Sequence, residues 1–129
     1  MKTFFIISAL IESGAGLIFL IAPSMAVSIL LGSSINAVGI MLGRVAGAAL
    51  FSLAIVCWFA RKNEESRTTK GLGVAMLFYN LTVSGILLYG VLGVNLQGSG
   101  LWPLVFLHTV MAIWCIRSLL MNGKKQTIL

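Results

Sequence analysis

Glu12, Arg44, Asn80 and His108 are the residues of this chain best able to hold a charge, move a proton or bind a polar ligand. Each is the one strongly polar residue well inside a long apolar run. A carboxyl near a titratable imidazole suits proton coupling, because histidine changes its charge near neutral pH. Arginine supplies a permanent counter-charge, and an asparagine amide can donate and accept at once. A charged side chain at the middle of a membrane helix costs roughly 2.5–3.5 kcal/mol on insertion scales, so these residues are expected to face one another.

Helical spacing extends the pattern. Ser8, Glu12 and Gly16 share one face; so do Arg44, Ala48 and Ser52, then Asn80 and Ser84, then His108, Ala112 and Cys115. Ser13 and Tyr79 lie beside the central residues and join Ser8 and Ser84 as candidate lining. The four stripes are expected to converge on one axis, with Arg44 reaching Glu12. The alternative is an ion-pair and hydrogen-bond network that only sets helix register.

Other chemistry finds no support. The sequence has no Asp, HExxH, GxSxG or Walker loop, so no catalytic residue is assigned. Its single histidine could ligate haem only with a partner from another subunit. Cys57 and Cys115 form no CxxC and no Cys/His cluster. No metal and no cofactor is expected.

The elements that must position these residues follow from composition. The 129 residues are 59% hydrophobic and 9% charged, too few charges to cover a water-soluble surface. Four apolar runs, 3–22, 37–60, 71–94 and 101–121, are each long enough to cross a hydrocarbon core of roughly 30 Å as a helix. Backbone in lipid must satisfy its own hydrogen bonds, which selects helix. The expected architecture is all-α, a four-span transmembrane helix bundle forming one domain over 1–129. Pro23 closes the first run, Pro103 stands in the opening turn of the fourth, and 23–36 is apolar enough for a short interfacial helix. At about 1.5 Å per residue, Glu12 and Asn80 fall about 13 Å from one boundary, and Arg44 and His108 about 10 Å from the other.

The net charge of +6 is gathered at one end: Lys2, the 61–70 connection (RKNEESRTTK), Arg117, Lys124 and Lys125. Loops 23–36 and 95–100 carry no Lys or Arg. The positive-inside rule then places both termini in the cytoplasm, with Trp58, Trp114 and Trp102 near the interfaces. No basic stripe alternates with aromatics, so no nucleic-acid partner is expected. Residues 1–26 also fit a signal peptide ending at Ser24-Met25-Ala26. Against that, the apolar run exceeds the usual length and Glu12 interrupts it, so the first run is expected to stay as a span.

Gly39, Gly43 and Gly47 form a GxxxGxxxG strip in the second run, which lets another backbone approach closely. The partner is either a helix of the same bundle or one of a second subunit. A homo-oligomer is expected.

Gly14-Ala15-Gly16 followed by Pro23, then Arg44-Val-Ala-Gly47-Ala-Ala-Leu50 leading to Trp58-Phe-Ala-Arg61, resembles the DoxX-like and related small four-helix proteins of bacterial inner membranes. The resemblance covers most of the chain as a layout. It implies a four-helix bundle in the cell inner membrane and carries no activity over. Glu12 in a first span is similar to the membrane glutamate of the small multidrug resistance transporters, but the rest of that pattern is missing and the charge bias here is strong. The Glu/Arg/Asn pattern of the trimeric membrane glutathione transferases is not reproduced.

The expected function is binding or transport of a small lipophilic or protonatable ligand at Glu12, Arg44, Asn80 and His108. The alternatives are an accessory subunit of a membrane complex and, third, a small membrane enzyme. The expected surroundings are the lipid bilayer and further copies of the chain.

Overall fold

The computed structural model describes residues 1–63 and 66–126, with side chains described as far as residue 121. Glu64 and Glu65 of the basic connection, the residues beyond 126 and the side chains of Lys124 and Lys125 lie outside the described residues. Every regular element among those described is an α-helix: α1 Lys2–Ile21, α2 Pro23–Leu31, α3 Ala37–Ala60, α4 Arg67–Leu92 and α5 Leu101–Gln126. α1, α3, α4 and α5 are long and apolar enough to cross a membrane.

The helix ends follow local chemistry. α1 stops at Ile21, and Ala22 (φ −135°, ψ 58°) turns the chain into α2, which opens on Pro23. Proline suits that place because the first helical N–H has no partner to lose. α2 ends at Gly32, whose φ of +68° is the left-handed conformation glycine adopts without strain. Asn36 caps α3 by accepting from Gly39 N (2.9 Å), and Ser66 caps α4 by accepting from Thr69 N (3.0 Å). The Ser66 cap starts α4 at Arg67, four residues before its apolar run begins. The uncharged 23–36 loop thus contains a true helix.

α1 packs chiefly on α3, and α4 on α5. The first pair is a close backbone contact. A Cβ on Gly47 would stand 2.7 Å from Leu20 N and 2.8 Å from Gly16 O, and a Cβ on Gly16 would meet Phe51 N at 2.8 Å. Gly43 faces Pro23, where a Cβ would come within 2.9 Å of its Cβ. Two glycines of the strip therefore serve packing within the chain. A Cβ on Gly39 would meet Ile35 of its own approach segment instead.

The two pairs meet in layers along the bundle. At the basic end, Met1 and Leu119 both close on Gly73, so the start of α1 and the later turns of α5 lie there. The apolar layer of that half holds Phe4, Phe5, Ala9, Cys57, Met76, Met111 and Cys115. Cys57 Sγ lies 3.7 Å from Met76 Sδ, and Cys115 Sγ donates to Gly73 O at 3.2 Å. Both cysteines are free. At the opposite end, Gly100 N donates to Ile29 O (3.0 Å) and Gly98 sits directly against the Leu30 backbone, which ties α2 to the α4–α5 loop. Many large apolar side chains point outward, Val38, Phe78, Ile86 and Phe106 among them, the surface expected of helices with lipid as solvent.

Candidate functional site

The middle layer is polar, and three of the spanning helices build it. α1 brings Glu12, one turn beyond Ser8 and one turn before the Gly16 contact. Glu12 is 3% exposed and accepts from the Tyr79 hydroxyl at 3.0 Å. α4 brings Tyr79 and Asn80 as neighbours, which on a helix point about 100° apart. One therefore reaches toward α1 and the other toward α5. Asn80 is buried; its Nδ2 donates to Met76 O at 2.8 Å and its Oδ1 lies 3.0 Å from His108 Nδ1. An amide oxygen only accepts, so His108 carries its proton on Nδ1 in this bond. The Tyr79 and His108 rings meet edge to face, centroids 5.7 Å apart. Two hydrogen-bonded pairs, Glu12–Tyr79 and Asn80–His108, thus meet through the Tyr79–His108 ring contact.

The remaining candidates divide. Ser84, a turn beyond Asn80, is 2.7 Å from Thr109 Oγ1, and Thr109 donates to Val105 O. Ser8 is buried beside the layer, and its Oγ is without a hydrogen-bond partner among the described residues. Ser13 bonds back to Leu10 O within its own helix and lines an open groove of about 270 Å³ on the outer surface between α1 and α3.

Arg44 is not part of the layer. It is exposed on α3, as are Ala48 and Ser52, and it forms no ion pair with Glu12. The buried residues of α3 are Gly47, Ala54 and Cys57. A helix presents one stripe inward, and the close approach of α1 requires the small residues of the glycine strip to fill it. The Arg44 stripe is rotated off that line and points outward. Of the four expected stripes, those of α1, α4 and α5 meet and that of α3 does not.

Two contributors escaped the pattern of charges and amides. Tyr79 acts as a donor to Glu12 rather than as lining, and Thr109 completes a hydroxyl pair with Ser84. The available signal was adjacency: each directly neighbours a marked residue and so reaches the same layer from the flank.

Among the described residues, no cluster of three His, Cys, Asp or Glu side chains could hold a metal ion. What the layer offers is a buried carboxyl with a neutral phenol as its bonded partner, next to an imidazole in a fixed tautomer. Such a set can hold or pass a proton, or hold a small cation at the carboxyl. Searches of family models, of characterised proteins and of solved structures find no match to this chain.

Proposed function

We propose that the protein binds a small protonatable or cationic ligand at Glu12 and exchanges it for a proton. The observation that carries this reading is the burial of Glu12 with Tyr79 as its bonded partner and Arg44 turned away. An ionised carboxyl in so apolar a place needs a positive charge beside it, and a proton on the carboxyl removes that need. Proton and cation therefore compete for one group. Tyr79 holds the carboxyl in place, and the Asn80–His108 pair keeps the neighbouring imidazole oriented, a fixed polar wall on the far side.

Calorimetry in nanodiscs tests this with tetraphenylphosphonium, a lipophilic cation without a titratable group. Binding should release a proton, seen by comparing buffers of different ionisation enthalpy, and should weaken as pH falls. Glu12→Gln should abolish the proton release and the pH dependence. If the parent protein binds without proton release, or the variant behaves like the parent, the reading is wrong.

We place the basic end in the cytoplasm of an inner-membrane protein, following the grouping of Lys and Arg there. In sealed right-side-out vesicles an impermeant thiol reagent should label Ser33→Cys and spare Lys62→Cys; the reverse result would invert the topology. A second functional reading, an accessory or self-assembling subunit, draws on the outward Arg44, Ala48 and Ser52. A cation facing lipid is costly, and a neighbouring subunit can cover it.

A further inference from the structure

The basic end of the bundle carries the same Trp-x-x-Arg spacing twice. Trp58-Phe-Ala-Arg61 closes α3, and Trp114-Cys-Ile-Arg117 lies in the same half of α5. Three residues apart on a helix, the tryptophan and the arginine share a face, with the arginine further toward the basic end. In α3 the Arg61 guanidinium lies 3.6 Å above the centre of the Trp58 ring, and its Nη1 donates to Trp58 O at 2.7 Å. Stacking and that bond hold the cation at the helix end.

Each pair adjoins an open apolar groove. The groove of about 270 Å³ is lined by Ala9, Phe51, Ala54, Ile55 and Trp58, so it runs along α1 and α3 and ends at the ring that carries Arg61. A second, of about 380 Å³, is lined by Val110, Ile113, Trp114, Arg117 and Met121. Both lie on the outer surface of helices long and apolar enough to cross a membrane. Each combines a channel for an extended hydrocarbon chain, an indole at the level where chain meets headgroup, and a guanidinium placed outermost.

We propose that these two grooves are phospholipid sites, each seating an acyl chain along its floor and an anionic headgroup against Arg61 or Arg117. The charge decides the headgroup. A guanidinium matches a phosphodiester in a bidentate fork, and a zwitterionic lipid offers the same phosphate with a compensating ammonium. The basic residues gathered at this end, Arg61, Lys62, Arg67 and Arg117 among them, favour the lipid of net negative charge. Trp102 stands at the other end of α5 with no Arg or Lys within its turn, and so supplies the control.

Three single-tryptophan proteins, retaining Trp58, Trp114 or Trp102 with phenylalanine at the other two positions, are placed in bilayers of phosphatidylcholine and phosphatidylglycerol. Either lipid is brominated in turn, and quenching gives its relative affinity at each indole. Phosphatidylglycerol should be favoured about five-fold at Trp58 and Trp114, the order expected for one basic side chain near an anionic headgroup, and not at Trp102. Arg61→Gln should abolish the preference at Trp58 alone, and Arg117→Gln that at Trp114 alone. Ala54→Phe should lower quenching of Trp58 by both lipids by filling the groove. Equal quenching by the two lipids at Trp58 and Trp114 would overturn the proposal. A preference of the same size at Trp102, or one that survives both arginine changes, would show only a general surface charge and would overturn it as well.

Discussion

Asn80 uses both ends of its amide, giving to the Met76 carbonyl and taking from His108. That double use makes it the pivot of the polar layer. Removing it strands an imidazole N–H in a place without water, and removing His108 strands the amide oxygen. The pair should therefore show coupling in a double-mutant cycle. For Asn80→Ala and His108→Ala, unfolding in bicelles should give an interaction of about 0.5–2 kcal/mol, the range of such bonds in membrane helices. Strict additivity would mean that the 3.0 Å contact contributes nothing. Ser8 predicts the opposite sign: its buried hydroxyl has no described partner to lose, so Ser8→Ala should raise stability by about 1 kcal/mol. At this scale the sequence was informative where a residue was costly. Glu12, Asn80 and His108 are expensive in lipid and lie inward as their types require, whereas Arg44, as costly, lies outward because the glycine strip took the inward face of its helix. Tyr79 is cheap at a membrane helix surface, and nothing in its type required it to reach Glu12; Thr109 stays exposed and meets Ser84 at the edge of the layer.

Among the elements, α3 shows how two local rules compete for one helix face. Its glycine strip and its Arg44 stripe cannot both point at α1. Close packing against Gly16 selected the glycines, and Arg44 was left outside. Periodicity alone marks both stripes without ranking them, which is why the phase of this helix was not legible while its existence and ends, 37–60, were. The ranking is testable. Gly47→Leu inserts a side chain where a Cβ alone already stands 2.7 Å from backbone, so it should lower the unfolding temperature sharply and loosen α1 from α3. Gly85 has nothing within 4 Å of an added Cβ, so Gly85→Ala should stabilise by about 0.5–1 kcal/mol through helix propensity. Equal effects at the two positions would mean the glycine contact is not what holds the pair. α2 was half-legible: Pro23 and an apolar run allowed a helix, but its bond to the 95–100 loop joins residues about 70 apart, beyond any local pattern.

For the molecule as a whole, Arg44 is the exposed charge furthest from the span ends among the described residues. If its stripe seats a second copy, counting subunits by photobleaching at low density in vesicles should find assemblies for the parent chain. Ala48→Leu, which raises a bulge on the stripe, should weaken assembly about tenfold, the equivalent of ~1.4 kcal/mol of lost helix contact. Monomers throughout would leave Arg44 reaching along its own helix toward the headgroups, as long cationic side chains do. The general layout, four apolar helices with the basic residues at one end, was legible because lipid leaves so few alternatives. The pairing of α1 with α3 was not, since it depends on which small residues meet across the bundle.

The tie between α2 and the α4–α5 loop gives the two helix pairs a fulcrum. Backbone hydrogen bonding joins them at that end; at the basic end the chain itself passes from α3 into α4, and the pairs touch through side chains such as Cys57 and Met76. If one pair rocks against the other about the tied end, the polar layer stands partway along the lever. A spread of about 2 Å at Glu12 and Tyr79 would carry their 3.0 Å bond well past hydrogen-bond reach while the tied end stays shut. Paired spin labels at the two ends would show it as a distance distribution broad at the basic end and narrow at the other.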